Sequence, residues 1–130
     1  MLETITLLST LTVGNIMEHG QADVICKKLN VGDTITLDSG GGILDEFLEL
    51  GECIYQKDIN VILKQALSSA GYTATASKNT CIYKDSVVGY HATHYIIEGY
   101  LVELSVAQHR KIISDTTQAM TKWGIVTGKL

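Results

Sequence analysis

Apolar and polar residues alternate along this chain with two different periods, one typical of buried strands and the other of helices. Runs rich in β-branched and apolar residues predict three strands in the first half, at residues 4–12, 33–37 and 59–63. Apolar residues at helical spacing predict two helices between those strands, at residues 15–29 and 43–56. The second helix has the clearer stripe, which includes Leu44, Phe47 and Ile54. Strands that alternate with helices predict an α/β fold with a mainly parallel sheet.

The second half of the chain continues this alternation with smaller residues. The segment "QALSSAGYTATA", residues 65–76, predicts a helix of small residues that packs closely against the sheet. Two more strands are predicted at residues 79–83 and 86–91. From about Tyr95 the pattern becomes helical, and "SDTTQAM", residues 114–120, offers N-cap residues for a last helix.

Composition favours a single globular domain over residues 1–130. The chain has no proline, no low-complexity tract and a hydrophobic fraction of 45%. A net charge of −4 without a Lys/Arg cluster disfavours nucleic acid and anionic membranes as partners. The N-terminal segment lacks the features of a signal peptide, and no apolar run approaches the roughly 18 to 20 residues that span a bilayer.

The three cysteines refine the expected compartment. Cys26, Cys53 and Cys81 are odd in number, lie within apolar runs and have no zinc-site spacing. They are therefore predicted to be reduced core residues of a cytoplasmic protein.

A glycine turn is the first candidate for chemistry. Gly40, Gly41 and Gly42 lie between a predicted strand and a predicted helix, so their N–H groups could face an anion. The run matches neither a phosphate loop nor a dinucleotide fingerprint. Taken alone, it predicts a tight turn more strongly than a binding site.

A pair of serines is the second candidate. Ser68 and Ser69 stand where the small-residue helix should begin, and a helix N-terminus presents free N–H groups that stabilise an oxyanion. Ser69 could attack a carbonyl there, with the N–H of Ala70 as one donor. Alternatively, either serine simply caps the helix. The absence of a G-x-S-x-G motif disfavours an α/β-hydrolase.

A histidine is the third candidate. His91 ends the apolar run "SVVGY", and histidine is the usual base for a serine nucleophile. His94 follows three residues later, but no third ligand accompanies the two histidines, so no metal site is predicted. His19 and His109 have no stronger claim than an ordinary solvent-facing histidine.

The order of these features resembles the Clp protease proteolytic subunit, ClpP. "DSGGG" at residues 38–42 is similar to the family's N-S-P-G-G, and "SSAGY" at residues 68–72 is similar to its A-S-M-G and to the A-S-G-G-Y of signal peptide peptidase A. "KDSVVGYH" at residues 84–91 keeps the spacing of P-N-S-x-x-M-x-H, and "KWGIVTGKL" resembles the ending E-Y-G-L-I-D. The resemblance covers nearly the whole chain in one order.

The resemblance implies a fold and a mechanism. The fold is expected to be a ClpP/crotonase-like spiral of β-β-α units, with a mainly parallel sheet and flanking helices. Ser69 is expected to be the nucleophile and His91 the base. The oxyanion hole would be formed by the N–H groups of Gly42 and Ala70, helped by that of Gly41.

The resemblance also implies partners. A peptide or unfolded protein is the expected substrate, and a cytoplasmic homo-oligomer that encloses its active sites is the expected assembly. An AAA+ unfoldase is a candidate partner. The family mechanism uses neither a metal nor another cofactor.

The chain departs from the family pattern in three places. Gly40 replaces the proline of the glycine turn, which predicts a looser loop. The stretch after His91, which corresponds to the family's handle, is much shorter. The D-x-F-[ML]-S motif of the catalytic acid is not legible, which leaves Asp115, the only aspartate after His91, as the third triad member or as a helix cap.

Two alternative functions remain. A shortened handle and an unclear acid would also suit an inactive subunit or assembly scaffold of ClpP type. A crotonase-like acyl-CoA enzyme shares the use of two backbone N–H donors. That enzyme is disfavoured because the chain is about half the expected size, lacks basic residues for the nucleotide and carries the Ser69/His91 pair.

Overall fold

A computed structural model describes residues 10–89, 95–97, 100–102 and 105–124. The first nine residues, and with them most of the strand predicted at 4–12, lie outside these ranges. Within the described ranges, no helix combines the length and the apolar character that crossing a bilayer requires.

A four-stranded parallel sheet organises the fold. Its strands lie side by side in chain order: β1 (Leu11–Val13), β2 (Thr34–Ser39), β3 (Asn60–Leu67) and β4 (Thr80–Gly89). The helices are α1 (Gln21–Lys27), α2 (Leu44–Gln56), α3 (Ala70–Thr73) and α4 (Val106–Lys122). An antiparallel pair, β5 (Tyr95–Ile97) and β6 (Tyr100–Val102), precedes α4. The predicted α/β fold with a parallel sheet and flanking helices is confirmed.

The core lies between one face of the sheet and the helices. Alternate residues of β2 and β3 point to that face, as the strand period requires, and α2 supplies the facing apolar stripe. The predicted stripe is confirmed at Phe47 and Ile54, both fully buried. The core residues of these three elements are Ile35, Leu37, Val61, Leu63, Phe47, Leu50 and Ile54.

The short helix α1 depends on contacts with α2. Seven residues are too few for a stable isolated helix in water. The buried carboxylate of Glu46, in α2, accepts hydrogen bonds from the N–H groups of Gly20 (3.1 Å) and Ala22 (2.9 Å) at the start of α1. The ammonium of Lys57 donates to two backbone carbonyl oxygens near its end, both at 2.8 Å. Both ends of α1 are thus satisfied by side chains from α2 and its C-cap.

A disulfide bond adds a covalent link between these helices. Cys26 of α1 and Cys53 of α2 are bonded, with their Cα atoms 6.1 Å apart, whereas Cys81 is free and exposed. The prediction of three reduced core cysteines is therefore wrong. Its physical reason is that α1 and α2 pack side by side, a proximity that their spacing of 27 residues does not reveal. The cysteines no longer support a cytoplasmic location, which stays a prediction.

We expect the double variant Cys26→Ser/Cys53→Ser to lose about 3 to 4 kcal/mol of unfolding free energy, because the bond closes a loop of 27 residues in the unfolded chain. Urea denaturation without reductant measures this loss. The matched control is Cys81→Ser, an exposed position, for which a change within about 0.5 kcal/mol is expected.

A thiol count provides the contrary outcome. The wild type, denatured without reductant, should expose one reactive thiol. Three reactive thiols would show that the bond does not form in the isolated protein.

The segment predicted as a helix of small residues is mostly not helical. Residues 65–67 extend β3, where they pair with residues 87–89 of β4, and the helix is only the four residues of α3. One strand, β4, joins the strand predicted at 79–83 to the described part of the strand predicted at 86–91, and its register with β3 shifts between Leu63 and Gln65. Of the three residues that extend β3 only Ala66 is small, and the small residues of the segment lie at the serine pair, in α3 and in the turn that follows it.

The C-terminal region also differs from its prediction. Residues 95–97 and 100–102 form strands, so the helical pattern expected from Tyr95 is wrong. The last helix begins at Ser105, whose Oγ accepts from the Gln108 N–H while the Gln108 side chain accepts from the Ser105 N–H. This capping box starts the helix nine residues before Ser114. Ser114 and Asp115 therefore lie inside the helix, and neither caps it.

Trp123, just after α4, connects the last helix to α2. Its ring lies against Gly51, where a Cβ atom would come within 2.4 Å of it, and its Nε1 donates to Glu52 (3.2 Å). Partial burial, the largest single influence, raises the pKa of the Glu52 carboxyl, but hydrogen bonds from Lys122, Gln56 and Trp123 together outweigh it and lower that pKa. The ionised carboxylate therefore stabilises this contact.

Candidate active site

The glycine turn and the serine pair come together at one edge of the sheet. They follow β2 and β3, which are neighbouring parallel strands, and carboxyl ends of such strands share an edge. Ser39, at the end of β2, is paired with Ala66 of β3. A Cβ atom placed on Gly41 would lie 2.8 Å from the Cβ of Ser68, so the two segments are in direct contact.

Two positions of the turn require glycine. Gly41 has φ +113° and Gly42 has φ +147°, both in the region that side chains rarely adopt. A Cβ atom on Gly42 would also come 2.0 Å from the carbonyl oxygen of Ile16. That carbonyl accepts a hydrogen bond from the Ile43 N–H at 2.9 Å, which joins the turn to the segment after β1. The glycines thus allow a close backbone approach.

Side chains hold the turn in place. The Oδ1 of Asn15 accepts from the Gly40 N–H (2.7 Å) and from the Ser39 hydroxyl (3.3 Å), and the Ser39 Oγ accepts from the Gly41 N–H (3.0 Å). A proline at position 40 could not make the first of these bonds. The turn therefore has an anchor that takes the place of the family's proline, contrary to the loose loop predicted from Gly40.

These bonds leave one N–H group of the turn open. Gly41 donates to Ser39, but the N–H of Gly42 has no acceptor among the described residues, and Gly42 is exposed. Of the two predicted oxyanion donors in the turn, Gly42 is therefore the available one. The motif "DSGGG" includes Ser39 but does not reveal its hydrogen bonds, and the sequence contained no sign of Asn15, which lies 25 residues before Gly40.

Ser68 occupies a strained position between β3 and α3. Its φ is +56°, in the left-handed region, which costs a residue other than glycine about 1 to 3 kcal/mol. Its N–H donates to the carbonyl of Gly89 at the end of β4 (2.7 Å), which helps to impose this conformation. The side chain is half-buried and lies beside Gly41.

Ser69 has an ordinary helical backbone and a hydroxyl that is already bonded. Its φ and ψ are −58° and −33°, and the residue is 6% exposed. Its Oγ donates to the carbonyl oxygen of Gly42 at 3.0 Å. It makes no side-chain capping bond, so the alternative of a simple helix cap does not describe it.

The first N–H groups after the serines are open. Gly71 and Tyr72 donate to the carbonyls of Ser68 and Ser69, whereas the N–H groups of Ser69 and Ala70 have no acceptor in the part of the chain that is described. Each serine is therefore followed by an N–H group that is open within the described residues.

Of the predicted base and the predicted acid, only the acid, Asp115, lies within the described residues. His91 and His94 lie outside the described residues. Asp115 lies within α4, where its carboxylate accepts from the ammonium of Lys111 at 2.7 Å, one helical turn away. Its role as third triad member stays a prediction.

A polar cavity of ≈ 320 Å³ opens on the other face of the sheet. It is lined by Asp38, Lys64, Gln65, Tyr83 and Asp85. Asp38 and Gln65 lie three residues before Gly41 and Ser68 on their strands, which corresponds to about 10 Å. None of the turn's glycines and neither serine lines this cavity.

Solved structures of a protease are similar in fold to this chain. Two similar structures are both described as 1510-N membrane-bound stomatin-specific protease, one a lysine-to-alanine mutant in complex with a substrate peptide and the other a serine-to-alanine mutant. They are 15% and 16% identical to this chain, with TM-scores of 0.63 and 0.59. The chain shares the fold of these two protease structures.

This chain spans less than two thirds of those structures. The matches cover 88% and 90% of this chain but 59% and 65% of the other two. No family model and no curated protein matches the sequence. The likeness establishes the fold.

Proposed function

We propose that this protein is a serine peptidase that cleaves peptide bonds through a serine nucleophile and a backbone oxyanion hole. The observation that carries the proposal is the contact between the serine pair and Gly41, next to the open N–H of Gly42. The ClpP-like fold supports the same chemistry, since the similar structures are of a protease.

In the proposed reaction, a serine Oγ attacks the carbonyl carbon of a peptide bond while its proton passes to the base, His91. The N–H of Gly42 and the N–H that follows the nucleophile bind the negative oxygen of the tetrahedral intermediate. Each such donor contributes roughly 3 to 4 kcal/mol to lowering the barrier. The C–N bond then breaks as the base protonates the leaving amine, and water hydrolyses the acyl ester.

The substrate would bind as an extended strand beside the glycine turn. Backbone pairing of this kind supplies affinity with little demand on sequence. The polar cavity, about 10 Å away along the strands, would receive side chains from a more distant part of the same peptide or unfolded protein.

A lysine base is the competing mechanism. It is suggested by the lysine mutant among the similar structures, which was solved with a substrate peptide. The last helix contains two lysines, and the one nearer to the serines in sequence is Lys111. Its ammonium is paired with the Asp115 carboxylate. A histidine base therefore remains the preferred proposal.

An inactive assembly subunit is the competing function. Its support is the ion pair that occupies Asp115, the one aspartate after His91.

For either function we propose a homo-oligomer, because β4 exposes large apolar side chains at Ile82, Val87 and Val88. Light scattering at micromolar concentration measures the assembly. A cytoplasmic location and an AAA+ partner follow from the resemblance alone.

Fluorophosphonate labelling tests the peptidase proposal. The wild type should form a covalent adduct and hydrolyse a casein-derived fluorogenic peptide. The double variant Ser68→Ala/Ser69→Ala should do neither, because both candidate hydroxyls are gone, and its circular dichroism should match the wild type. A wild type that takes no label and cleaves no peptide would favour the inactive subunit.

A further inference from the structure

We propose that Ser68, rather than Ser69, is the nucleophile and that Ser69 is a positioning residue that holds the glycine turn. Both assignments rest on the proposed peptidase function. They reverse the roles that the motif spacing predicts for the two serines.

The hydroxyl of Ser69 is poorly placed for attack. It is buried, and its proton lies in a 3.0 Å hydrogen bond to the carbonyl oxygen of Gly42. A nucleophile must present its oxygen to an incoming carbonyl and its proton to a base. To do either, Ser69 would have to break its bond and turn out of a packed position, which leaves the Gly42 carbonyl without this donor.

Ser68 has the features that Ser69 lacks. Its side chain is half-exposed and lies directly against Gly41, one residue from the open N–H of Gly42. Its backbone is held in the left-handed region at φ +56° by the 2.7 Å bond from its N–H to Gly89. Glycine would adopt this conformation without strain, so a serine at this position calls for a reason in its hydroxyl.

The donors fit this assignment. With Ser68 as nucleophile, the N–H that follows it is that of Ser69, which has no acceptor among the described residues. The second donor is the Gly42 N–H on the facing turn. The Ser69 hydroxyl, by holding the Gly42 carbonyl, fixes the orientation of that turn relative to Ser68.

The covalent step is the following. The Ser68 Oγ forms a bond to the substrate carbonyl carbon, the C–N bond breaks, and the hydroxyl proton passes through the base to the leaving nitrogen. Water then adds to the ester carbon and the C–Oγ bond breaks. One proton of that water passes to the Ser68 Oγ, so the products are the amine released in the first half, a carboxylic acid that ionises to its carboxylate, and the regenerated Ser68 hydroxyl.

Mapping the adduct on the wild type tests the assignment without a variant. After reaction with a fluorophosphonate, the Oγ–P bond replaces the P–F bond and fluoride leaves. Fragmentation of the labelled peptide between positions 68 and 69 by mass spectrometry then locates the added mass. We expect all of it on Ser68.

Variants separate the two roles. Ser68→Gly should abolish labelling while its melting temperature equals or exceeds that of the wild type, because glycine relieves the strain. Ser69→Ala should still be labelled at Ser68, with kcat reduced by up to about 100-fold and KM little changed, because the turn is misplaced. Ser69→Thr keeps the hydroxyl donor and should recover much of that kcat.

Failure of the Ser68 assignment and failure of the peptidase proposal give different results. An adduct on Ser69, or labelling that persists in Ser68→Gly, would overturn the assignment and leave the peptidase intact. A wild type without any adduct would overturn the peptidase itself, and the assignment with it.

Discussion

Replacing Gly42 by alanine should remove most of the activity and much of the stability of this protein. The new Cβ would lie 2.0 Å from the Ile16 carbonyl oxygen, a separation that non-bonded atoms do not adopt. The φ of +147° is also unfavourable for alanine. The turn must therefore separate from the segment after β1, which breaks the bond from the Ile43 N–H to Ile16.

Two losses are expected in Gly42→Ala, one in unfolding free energy and one in kcat. We expect a loss of about 3 to 5 kcal/mol in unfolding free energy, the range of severe backbone clashes in a packed site. Displacing the Gly42 N–H should lower kcat by a further factor of about 100 to 1000 in the molecules that remain folded. Urea denaturation and active-site titration with a fluorophosphonate separate the two effects.

The matched control is Gly40→Ala, two residues earlier in the same turn. Its Cβ would meet nothing closer than the Asn15 Oδ1 at 3.4 Å, an ordinary contact. This variant should keep the Asn15 hydrogen bond and nearly all of the activity. Equal losses in both variants would show that the turn is merely sensitive to any side chain and that the close approach of Gly42 is not the cause.

In the first half of the fold, β2, β3 and α2 could be predicted because their signals are local, whereas the helix predicted at 15–29 forms only at Gln21–Lys27. The stripe of α2 and the β-branched runs of β2 and β3 each specify their own element, and their alternation specifies the parallel sheet. The segment at residues 65–76 could not be assigned in this way. Its first residues serve as strand because they pair with β4, a contact made with residues about 20 positions away.

The C-terminal elements show a different limit. Ser105 and Ser114 both suit a helix start, and each is followed by residues that tolerate a helix. Only Ser105 has a glutamine three residues later to complete a capping box. This signal is local, and it distinguishes Ser105 from Ser114 in the sequence itself.

The candidate site was predictable in its members and not in its geometry. The glycine turn and the serine pair follow neighbouring strands, and the motif order places them together. Two adjacent serines leave a one-residue ambiguity that only backbone conformation and side-chain bonds can resolve. The roles of Asn15 and Ser39 depend on tertiary hydrogen bonds across about 25 residues, which no spacing rule anticipates.

Replacing His91 by alanine should lower kcat by about two to four orders of magnitude, the usual contribution of a general base. A serine hydroxyl is a weak nucleophile until a base removes its proton during attack. The ClpP resemblance assigns that base to His91, at the end of "KDSVVGYH". His94→Ala, three residues later, is the matched control and should keep its turnover.

The pH dependence of kcat/KM separates a histidine base from a lysine base. Only the neutral imidazole accepts a proton, so a histidine base gives an activity that falls as the pH drops below neutrality. A lysine base must be neutral as well, and its activity would fall from a more alkaline pH. In His91→Ala the residual rate should lose the acid limb, whereas in His94→Ala the limb should persist. If His91→Ala kept both its rate and its acid limb, the base would be another residue, and Lys111→Met would be the next variant to measure.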